Sequence, residues 1–431
     1  MVDRDADHRR TLWWADDGAC PASIPPDPDR RLDVAVIGGG FTGLTAALHL
    51  ARRGARVAVF EAGEVGQGAS GRNAGFVVPN FAKADPAAVR ARLGTERGER
   101  LLRAVGGGAE RVFATARAHD IACDAEPVGW MHLAHAPRML DVLAARAEAW
   151  AALGRPVRML SEAEARALSG ARHCLGALFD PSGGTIHPLA YLRGLARAAV
   201  AAGAGLHERA GIAAVERQGT GWALRVGGYR VVADRVVLAT NAGTAGAARR
   251  LGRTVVPLRV YQIATEPLAP AVAARVAPGR NPVADTRGNL FTYRLDRDDR
   301  LVTGGMAIVP LGAHRRMARA LAARLVAELD LPAPPAVARV WRGTAAMTPD
   351  FLPRIVPFGP GFVGGIGCNG RGIAVTAVLG LALAEVAAGG RLDEQPIPVA
   401  EPRPIPFHPL AGWLPSLAVA GARWQDRRDG L

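Results

Sequence analysis

The sequence predicts a mixed α/β protein in which a parallel-sheet domain is interleaved with an antiparallel-sheet domain. A short apolar run at 34–37, an apolar-periodic helix at 41–53 and a second apolar run at 56–60 follow one another in the order of a βαβ unit. From 255 to 309 the pattern changes to alternating strands joined by turns. With 431 residues, 49% of them hydrophobic, the chain is large enough for two domains with substantial cores.

The other elements follow from local patterns along the chain. Residues 1–31 contain Trp13, Trp14 and a proline-rich stretch, and are predicted to be an irregular arm that packs on the body through its tryptophans. The periodicity predicts helices at 86–118, 137–152, 313–329 and 373–388, and strands at 205–208, 221–226, 229–232, 233–240, 255–265, 290–295, 301–304, 336–347 and 354–366.

Charge and cysteine content restrict the class of protein. The net charge of +14 permits a nucleic-acid role, but the arginines are scattered and form no dense basic run, which weighs against one. A basic surface also favours anionic substrates. The four cysteines form no CxxC pair, so neither a metal site nor a disulfide framework is predicted. The polar N-terminus and the lack of a long apolar run predict a cytoplasmic protein without a membrane span.

The phosphate-binding fingerprint Gly38-x-Gly40-x-x-Gly43 lies between a predicted strand and a predicted helix. Glu61 follows at the end of the next strand, where an acidic side chain accepts hydrogen bonds from ribose hydroxyls and disfavours a 2′-phosphate. Because strand, loop, helix and acidic residue all occur in the required order, the pattern predicts a Rossmann-like dinucleotide-binding domain.

Further loops favour FAD over NAD as the dinucleotide. The segment 68–75, rich in small residues, follows the second strand, a similar loop at 240–243 follows a later one, and Ile212 lies where backbone atoms can contact the adenine. The turn at 367–372 opens an apolar helix, whose N–H groups favour the negative charge of a reduced flavin. The predicted cofactor-binding residues are Gly38, Gly40, Phe41, Thr42, Gly43, Glu61, Ala62, Ser70, Arg72, Asn73, Ala74, Gly75, Ile212, Thr240, Asn241, Gly343, Gly367, Asn369, Gly370, Arg371 and Gly372.

These motifs carry a family resemblance over nearly the whole chain. The segments GGGFTG, GASGRNAG, ADRVVLATNAG, YQIATEPL, WRGTAAMTPDFLP and GCNGRGIAVTAVLG resemble the D-amino-acid-oxidase-like FAD-dependent oxidoreductases. Within that family the chain is similar to the branch of γ-glutamylputrescine oxidoreductase and of glycine and sarcosine oxidases.

The resemblance implies a discontinuous FAD domain (32–85, 155–250 and 350–431) and a substrate domain (86–154 and 251–349) whose sheet covers the flavin. It also implies oxidation of a C–N bond of a small amine, secondary amine or amino-acid derivative by hydride transfer to flavin N5, followed by hydrolysis of the imine. No general base is assigned, because such chemistry depends on orientation and a neutral amine.

Three departures from the family pattern qualify these expectations. Ala345 stands where glycine- and D-amino-acid-oxidising relatives have a carboxylate-binding arginine. Residues 344–346 lack the cysteine that attaches flavin covalently in some relatives, so noncovalent FAD is expected. Residues 301–304 lack the oxygen-activating lysine of sarcosine oxidases, so the electron acceptor is either oxygen or an unknown group.

Four side chains are predicted to face the substrate. Tyr261, Tyr293 and Trp341 lie on predicted sheet strands, where core packing is the competing role, and Arg371 is either an anion anchor or a pyrophosphate-side or surface arginine. Two other functions stay open: an FAD-dependent tRNA-modifying enzyme and a catalytically silent flavin-binding subunit. In either case no metal is expected.

Overall fold

The computed structural model describes residues 6–14, 19–27, 31–243, 245–309, 311–408, 419–422, 424 and 426. Parts of the predicted arm (1–5, 15–18 and 28–30) and of the C-terminal segment lie outside these residues. None of the described helices is both long and apolar enough to cross a membrane.

Strands and helices alternate along most of the described chain. The strands are β1 (Leu32–Ile37), β2 (Val57–Phe60), β3 (Phe76–Val77), β4 (Trp130–Leu133), β5 (Arg158–Leu160), β6 (Ala177–Asp180), β7 (Gly184–Thr185), β8 (Gly205–His207), β9 (Ile212–Gln218), β10 (Gly221–Val226), β11 (Tyr229–Leu238), β12 (Val256–Thr265), β13 (Val283–Asp285), β14 (Thr292–Leu295), β15 (Leu301–Gly305), β16 (Val337–Met347), β17 (Arg354–Gly359) and β18 (Phe362–Ile366). The helices are α1 (Phe41–Ala51), α2 (Pro86–Leu93), α3 (Thr95–Gly106), α4 (Gly108–Ala118), α5 (Pro137–Ala151), α6 (Glu162–Ser169), α7 (Pro188–Ala201), α8 (Arg249–Gly252), α9 (Pro270–Ala273), α10 (Ala313–Leu329) and α11 (Gly372–Ala387).

The first sheet has the order β17-β18-β11-β1-β2-β8, with the β9–β10 hairpin added to β11. β1 pairs in parallel with both β2 and β11, which confirms the predicted βαβ unit. Val34 and Val36 pack on one face in the same core cluster as α1 and α11, whereas Ala35 and Ile37 pack on the other face. A central parallel strand is buried on both faces, and its continuous apolar run reflects this.

The second sheet has the order β16-β12-β15-β14-β13-β4-β6-β5. α10 covers one face, where Leu321 and Leu325 share a core cluster with Ile263. The opposite face packs on the first domain, since Ala264 and Val302 belong to the same cluster as α1 and α11. The second sheet therefore lies over the first domain. We call the face that carries Ala264 and Val302 the interdomain face.

The structure corrects two of the predicted domain boundaries. β5 and β6 pair within the second sheet, so the segment that contains them, predicted to lie in the first domain, belongs with the second sheet. The long helical region at 86–118 is three helices, divided at Gly94 and Gly107, and α3 and α4 bury their apolar faces in the core cluster of the first domain. Periodicity identifies the apolar face of a helix or strand, but it does not identify the partner that covers that face.

The N-terminal arm packs on the body as predicted. Trp13 is only 1% exposed, and its indole Nε1 donates a hydrogen bond to the Asn73 carbonyl at 2.8 Å. Its ring meets the rings of Trp341 and His187 edge to face. The arm is thereby held against the loop that follows β2.

Candidate cofactor and substrate site

In the connection from β1 to α1, Gly38 and Gly43 lie too close to neighbouring backbone atoms to carry side chains. Gly38 has a φ of +108°, and a Cβ there would lie 2.6 Å from the Ala239 carbonyl oxygen. A Cβ on Gly43 would lie 1.9 Å from the Gly38 carbonyl oxygen. α1 begins after Gly40, which is extended. The Phe41 N–H is bonded to the Ser70 hydroxyl, and the next amides of the first turn have no intrahelical partner and can bind an anion such as a pyrophosphate.

Glu61 lies immediately after β2, beside this loop. Its Oε2 accepts a hydrogen bond from the Gly39 N–H at 2.7 Å, and its Oε1 accepts one from the Gly63 N–H at 3.0 Å. Burial raises the pKa of this carboxyl, although both N–H groups act in the opposite direction. Ala62 lies next to Gly211, which directly precedes Ile212, so the residues predicted to contact the adenosine are close in space.

The loop 68–75 lies against the start of α1. The Ser70 hydroxyl accepts a hydrogen bond from the Phe41 N–H at 3.1 Å. The amide of Asn73 donates to the Ser70 carbonyl at 2.8 Å and accepts from the Gly75 N–H at 2.9 Å. Arg72 donates to the carbonyl of Gln67 at 2.8 Å. The side chains of Arg72 and Asn73 therefore shape the loop, and its small residues leave the backbone accessible.

The loop after β11 joins the two domains. Asn241 has a φ of +50°, and its amide donates a hydrogen bond to the Thr344 carbonyl of β16 at 3.2 Å. The hydroxyl of Thr240 is buried without a hydrogen-bond partner among the described atoms. A buried hydroxyl usually has a partner, so this position fits contact with a bound cofactor.

The turn before α11 is held by Asn369. Its side-chain oxygen accepts from the Thr348 N–H at 2.8 Å, and its amide nitrogen donates to the Gly367 carbonyl at 2.7 Å. Gly370 has a φ of +84°, and Arg371 caps α11 without a side-chain hydrogen bond to the helix. The N-terminus of an apolar helix is thus presented at the domain junction, where it favours negative charge. The glycine turn before α1, the turn before α11 and the Thr240 hydroxyl, which has no partner among the described atoms, fit FAD.

Strand register shows which side chains lie on the interdomain face. Gln262 on β12 is directly opposite Trp341 on β16, and directly opposite residues share a face. The indole Nε1 of Trp341 donates to the Arg72 carbonyl at 2.9 Å, which identifies this as the face that meets the cofactor loop. By the same register rule, Trp130 and His132 on β4 share the face of Ala284 and Thr292.

The two tyrosines predicted to face the substrate do not lie on the interdomain face. Tyr261 packs edge to face on His314 in the core beneath α10. The Tyr293 hydroxyl donates to the Ser169 carbonyl at 2.8 Å in the same core. This part of the prediction is wrong, because adjacent residues of a strand point to opposite faces and the sequence did not show which face α10 covers.

Two residues that the sequence did not single out lie on the interdomain face. The Oε1 atom of Gln262 is buried without a hydrogen-bond partner among the described atoms, and the same is true of the Trp130 indole Nε1. Gln262 directly follows Tyr261, so strand alternation would have identified it once the core face was known. The four-residue strand that carries Trp130 was not predicted.

Arg371 lies against Trp130 across the junction. Its Cζ is 5.2 Å from the centre of the Trp130 ring, and its Nε is buried without an acceptor among the described atoms. Burial, and then the charge of Arg146, lowers the pKa of Arg371 to about 10, so it remains a cation near neutral pH. Ala345 lies on the same face of β16 as Trp341, and its uncharged side chain stands at the position where the family pattern has a carboxylate-binding arginine.

His132 lies beside these two cations and is neutral. Arg146 donates to its Nδ1 at 3.0 Å, which places the ring proton on Nε2, 3.0 Å from the Asp285 carbonyl. Burial and the nearby arginines hold the pKa of His132 well below its usual range. Within the described part of the chain, no group of His, Cys, Asp and Glu residues could hold a metal ion.

Comparisons with known proteins agree with this geometry. The family described as FAD dependent oxidoreductase matches residues 33–386. The chain is 29% identical to the γ-glutamylputrescine oxidoreductase of Escherichia coli K12 over 410 residues, 93% of each chain. Its fold is similar to the crystal structure of glycine oxidase from Geobacillus kaustophilus (TM-score 0.67, 23% identity, 84% of this chain and 95% of that one). It is also similar to iminodiacetate oxidase from Chelativorans sp. BNC1 (TM-score 0.67, 22% identity, 86% and 100%).

Proposed function

This chain belongs to the family of FAD-dependent oxidoreductases, and we propose that it oxidises a C–N bond of a small amine, a secondary amine or an amino-acid derivative. The observation that carries the proposal is the junction of the two domains, where an amide oxygen and two N–H donors are buried without hydrogen-bond partners among the described atoms. The similarity to an oxidoreductase named for an amine substrate supports it.

The cofactor site follows from the two glycine turns and Glu61. The N–H groups in the first turn of α1 would bind the pyrophosphate, Glu61 would accept hydrogen bonds from the ribose, and the first turn of α11 would favour negative charge on the flavin. These residues would hold FAD noncovalently. The bound cofactor supplies the hydride acceptor.

The amine is oriented by Gln262. Its buried Oε1 has no partner among the described atoms, so it accepts a hydrogen bond from the substrate N–H. The cation Arg371 disfavours a protonated amine nearby, which keeps the nitrogen lone pair available. As the C–H bond breaks with loss of hydride, that lone pair forms the C=N bond, and water then hydrolyses the imine.

Anaerobic reduction of the bound flavin tests this function. The purified protein is mixed without oxygen with γ-glutamylated amines, N-methyl amino acids and D-amino acids, and the yellow absorption band is followed. We expect rapid bleaching by one class of amine and none by the matched hydroxy compounds, such as D-lactate beside D-alanine. Full FAD occupancy with no bleaching by any amine would reject the proposal. Admission of air then tests oxygen as the electron acceptor.

A further inference from the structure

Two buried N–H donors lie side by side at the domain junction without an acceptor. They are the Nε of Arg371, at the start of α11, and the indole Nε1 of Trp130, on β4. The guanidinium carbon lies 5.2 Å from the indole ring centre, so the two donors belong to side chains that are in contact. Leaving such groups unpaired is costly, and each typically has a partner in a folded protein.

Arg371 differs from the other arginines of this junction. Arg72 and Arg294 both donate to backbone carbonyls, the latter at 3.0 Å to Ile186. Arg146 is paired with Asp85 at 2.5 Å. Among the described residues, no carboxylate or carbonyl accepts a hydrogen bond from Arg371. A buried N–H donor without an acceptor is unfavourable, so the missing partner of the Arg371 Nε is expected to be a ligand.

Among the described residues, the charged group nearest in effect to Arg371 is another arginine, whose own charge is paired with Asp85. Arg146 is the charged group that acts on the pKa of Arg371, and its effect is repulsive. His132, held neutral by its two hydrogen bonds, contributes no charge. The indole of Trp130 is fully buried, and the guanidinium of Arg371 lies over its ring. A guanidinium without an anionic partner and an indole N–H are donors of the kind that a carboxylate accepts.

We infer that Arg371 and Trp130 form a carboxylate subsite at the junction of α11 and β4, so that the amine substrate is an amino acid or another amine carrying a carboxylate. The inference rests on the oxidation proposed above and specifies its substrate class. It assigns to Arg371 the anion recognition that Ala345 does not provide, from the FAD domain instead of from the sheet.

Benzoate and benzamide, a carboxylate and its neutral isostere, test the subsite on the FAD-loaded protein. Binding is measured by the perturbation of the flavin absorption spectrum. We expect the wild type to bind benzoate and to discriminate against benzamide. Because a hydrogen bond to a charged group is worth about 1.5–3 kcal/mol, Arg371→Gln should raise the benzoate Kd at least about tenfold. Arg403→Gln, at an arginine whose side chain is 87% exposed, is the control that removes the same charge and leaves the Kd unchanged.

Trp130→Phe provides a second variant that does not depend on how well Arg371→Gln retains FAD. It keeps an aromatic ring beneath the Arg371 guanidinium but removes the Nε1 donor, and should raise the benzoate Kd by about fivefold to tenfold. Equal benzoate binding by wild type, Arg371→Gln and Trp130→Phe would overturn the subsite. So would binding of benzamide as tight as that of benzoate. These outcomes are separate from the proposed oxidation: amines that bleach the flavin regardless of a carboxylate overturn only this subsite, whereas no bleaching by any amine overturns the oxidation.

Discussion

Substitution of Gly43 tests whether the close contact of β1 and α1 holds the cofactor. A Cβ on Gly43 would lie 1.9 Å from the Gly38 carbonyl oxygen and 3.2 Å from Val36 Cγ1. The first of these neighbours is a backbone atom, so no change of rotamer relieves the contact. Since contacts below 3.0 Å essentially do not occur, the loop and helix of Gly43→Ala must separate by roughly 1.1 Å.

Two effects follow from this separation. Overpacking of this kind lowers the free energy of unfolding of the apoprotein by about 1–3 kcal/mol. The first amides of α1 also move away from the pyrophosphate, and loss of one charge-assisted hydrogen bond raises the Kd of FAD by at least about tenfold. Both values are measurable, by urea denaturation and by titration of the apoprotein with FAD.

The control is Gly228→Ala, because a Cβ on Gly228 meets nothing within 4 Å. It should leave both quantities close to those of the wild type. If Gly43→Ala bound FAD as tightly as Gly228→Ala does, the helix N-terminus would not be the pyrophosphate site and the reasoning would be refuted.

Three further variants test the site and the arm. Trp341→Phe removes the hydrogen bond from the indole to the Arg72 carbonyl, so the free energy of unfolding should fall by about 1–3 kcal/mol in urea denaturation; an unchanged midpoint would contradict this. Gln262→Leu removes an amide oxygen that has no partner among the described atoms, so the free energy of unfolding should be kept. The kcat/KM for the amine should fall at least about tenfold, and unchanged kinetics would reject the orienting role of Gln262. Burial lowers the pKa of His187 from 6.5 to about 4, so its neutral form stabilises the fold above pH 6.5 and that contribution is lost as the pH falls towards 4. His187→Asn keeps a side chain able to cap α7 but removes the titrating group. Between pH 6.5 and 4 the free energy of unfolding of this variant should fall less steeply with decreasing pH than that of the wild type, by up to about 1.4 kcal/mol per pH unit. Equal slopes would exclude His187 as the source of the pH dependence.

Where a feature depends on neighbours in the chain, the sequence was sufficient. The βαβ unit was predicted because Gly38, Gly40 and Gly43 can form the turn only between a strand and a helix, and β1, α1 and β2 confirm it. The family and its FAD cofactor follow from the same motifs. α10 begins and ends at the predicted residues, 313 and 329, because its apolar positions recur with helical spacing between turn-forming residues.

The faces of the second sheet were decided by packing between distant segments. Tyr261 and Gln262 are adjacent in a strand whose pattern is compatible with either side chain facing the cofactor. The position of α10 buries Tyr261 in the core and leaves Gln262 on the interdomain face. Likewise, the sequence did not show that α3 and α4 are covered by the first domain, or that β5 and β6 pair within the second sheet.

The role of Arg371 also depends on contacts between segments that are distant in the sequence. The sequence placed it at the start of an apolar helix and left open an anion anchor or a surface arginine. Only the fold brings Trp130, more than two hundred residues earlier in the chain, against its guanidinium, and leaves both donors without an acceptor. Local pattern determined the element and the cofactor, because these depend on backbone geometry within a few residues. Burial and charge at the substrate position depend on contacts between distant segments, and only the tertiary structure decided them.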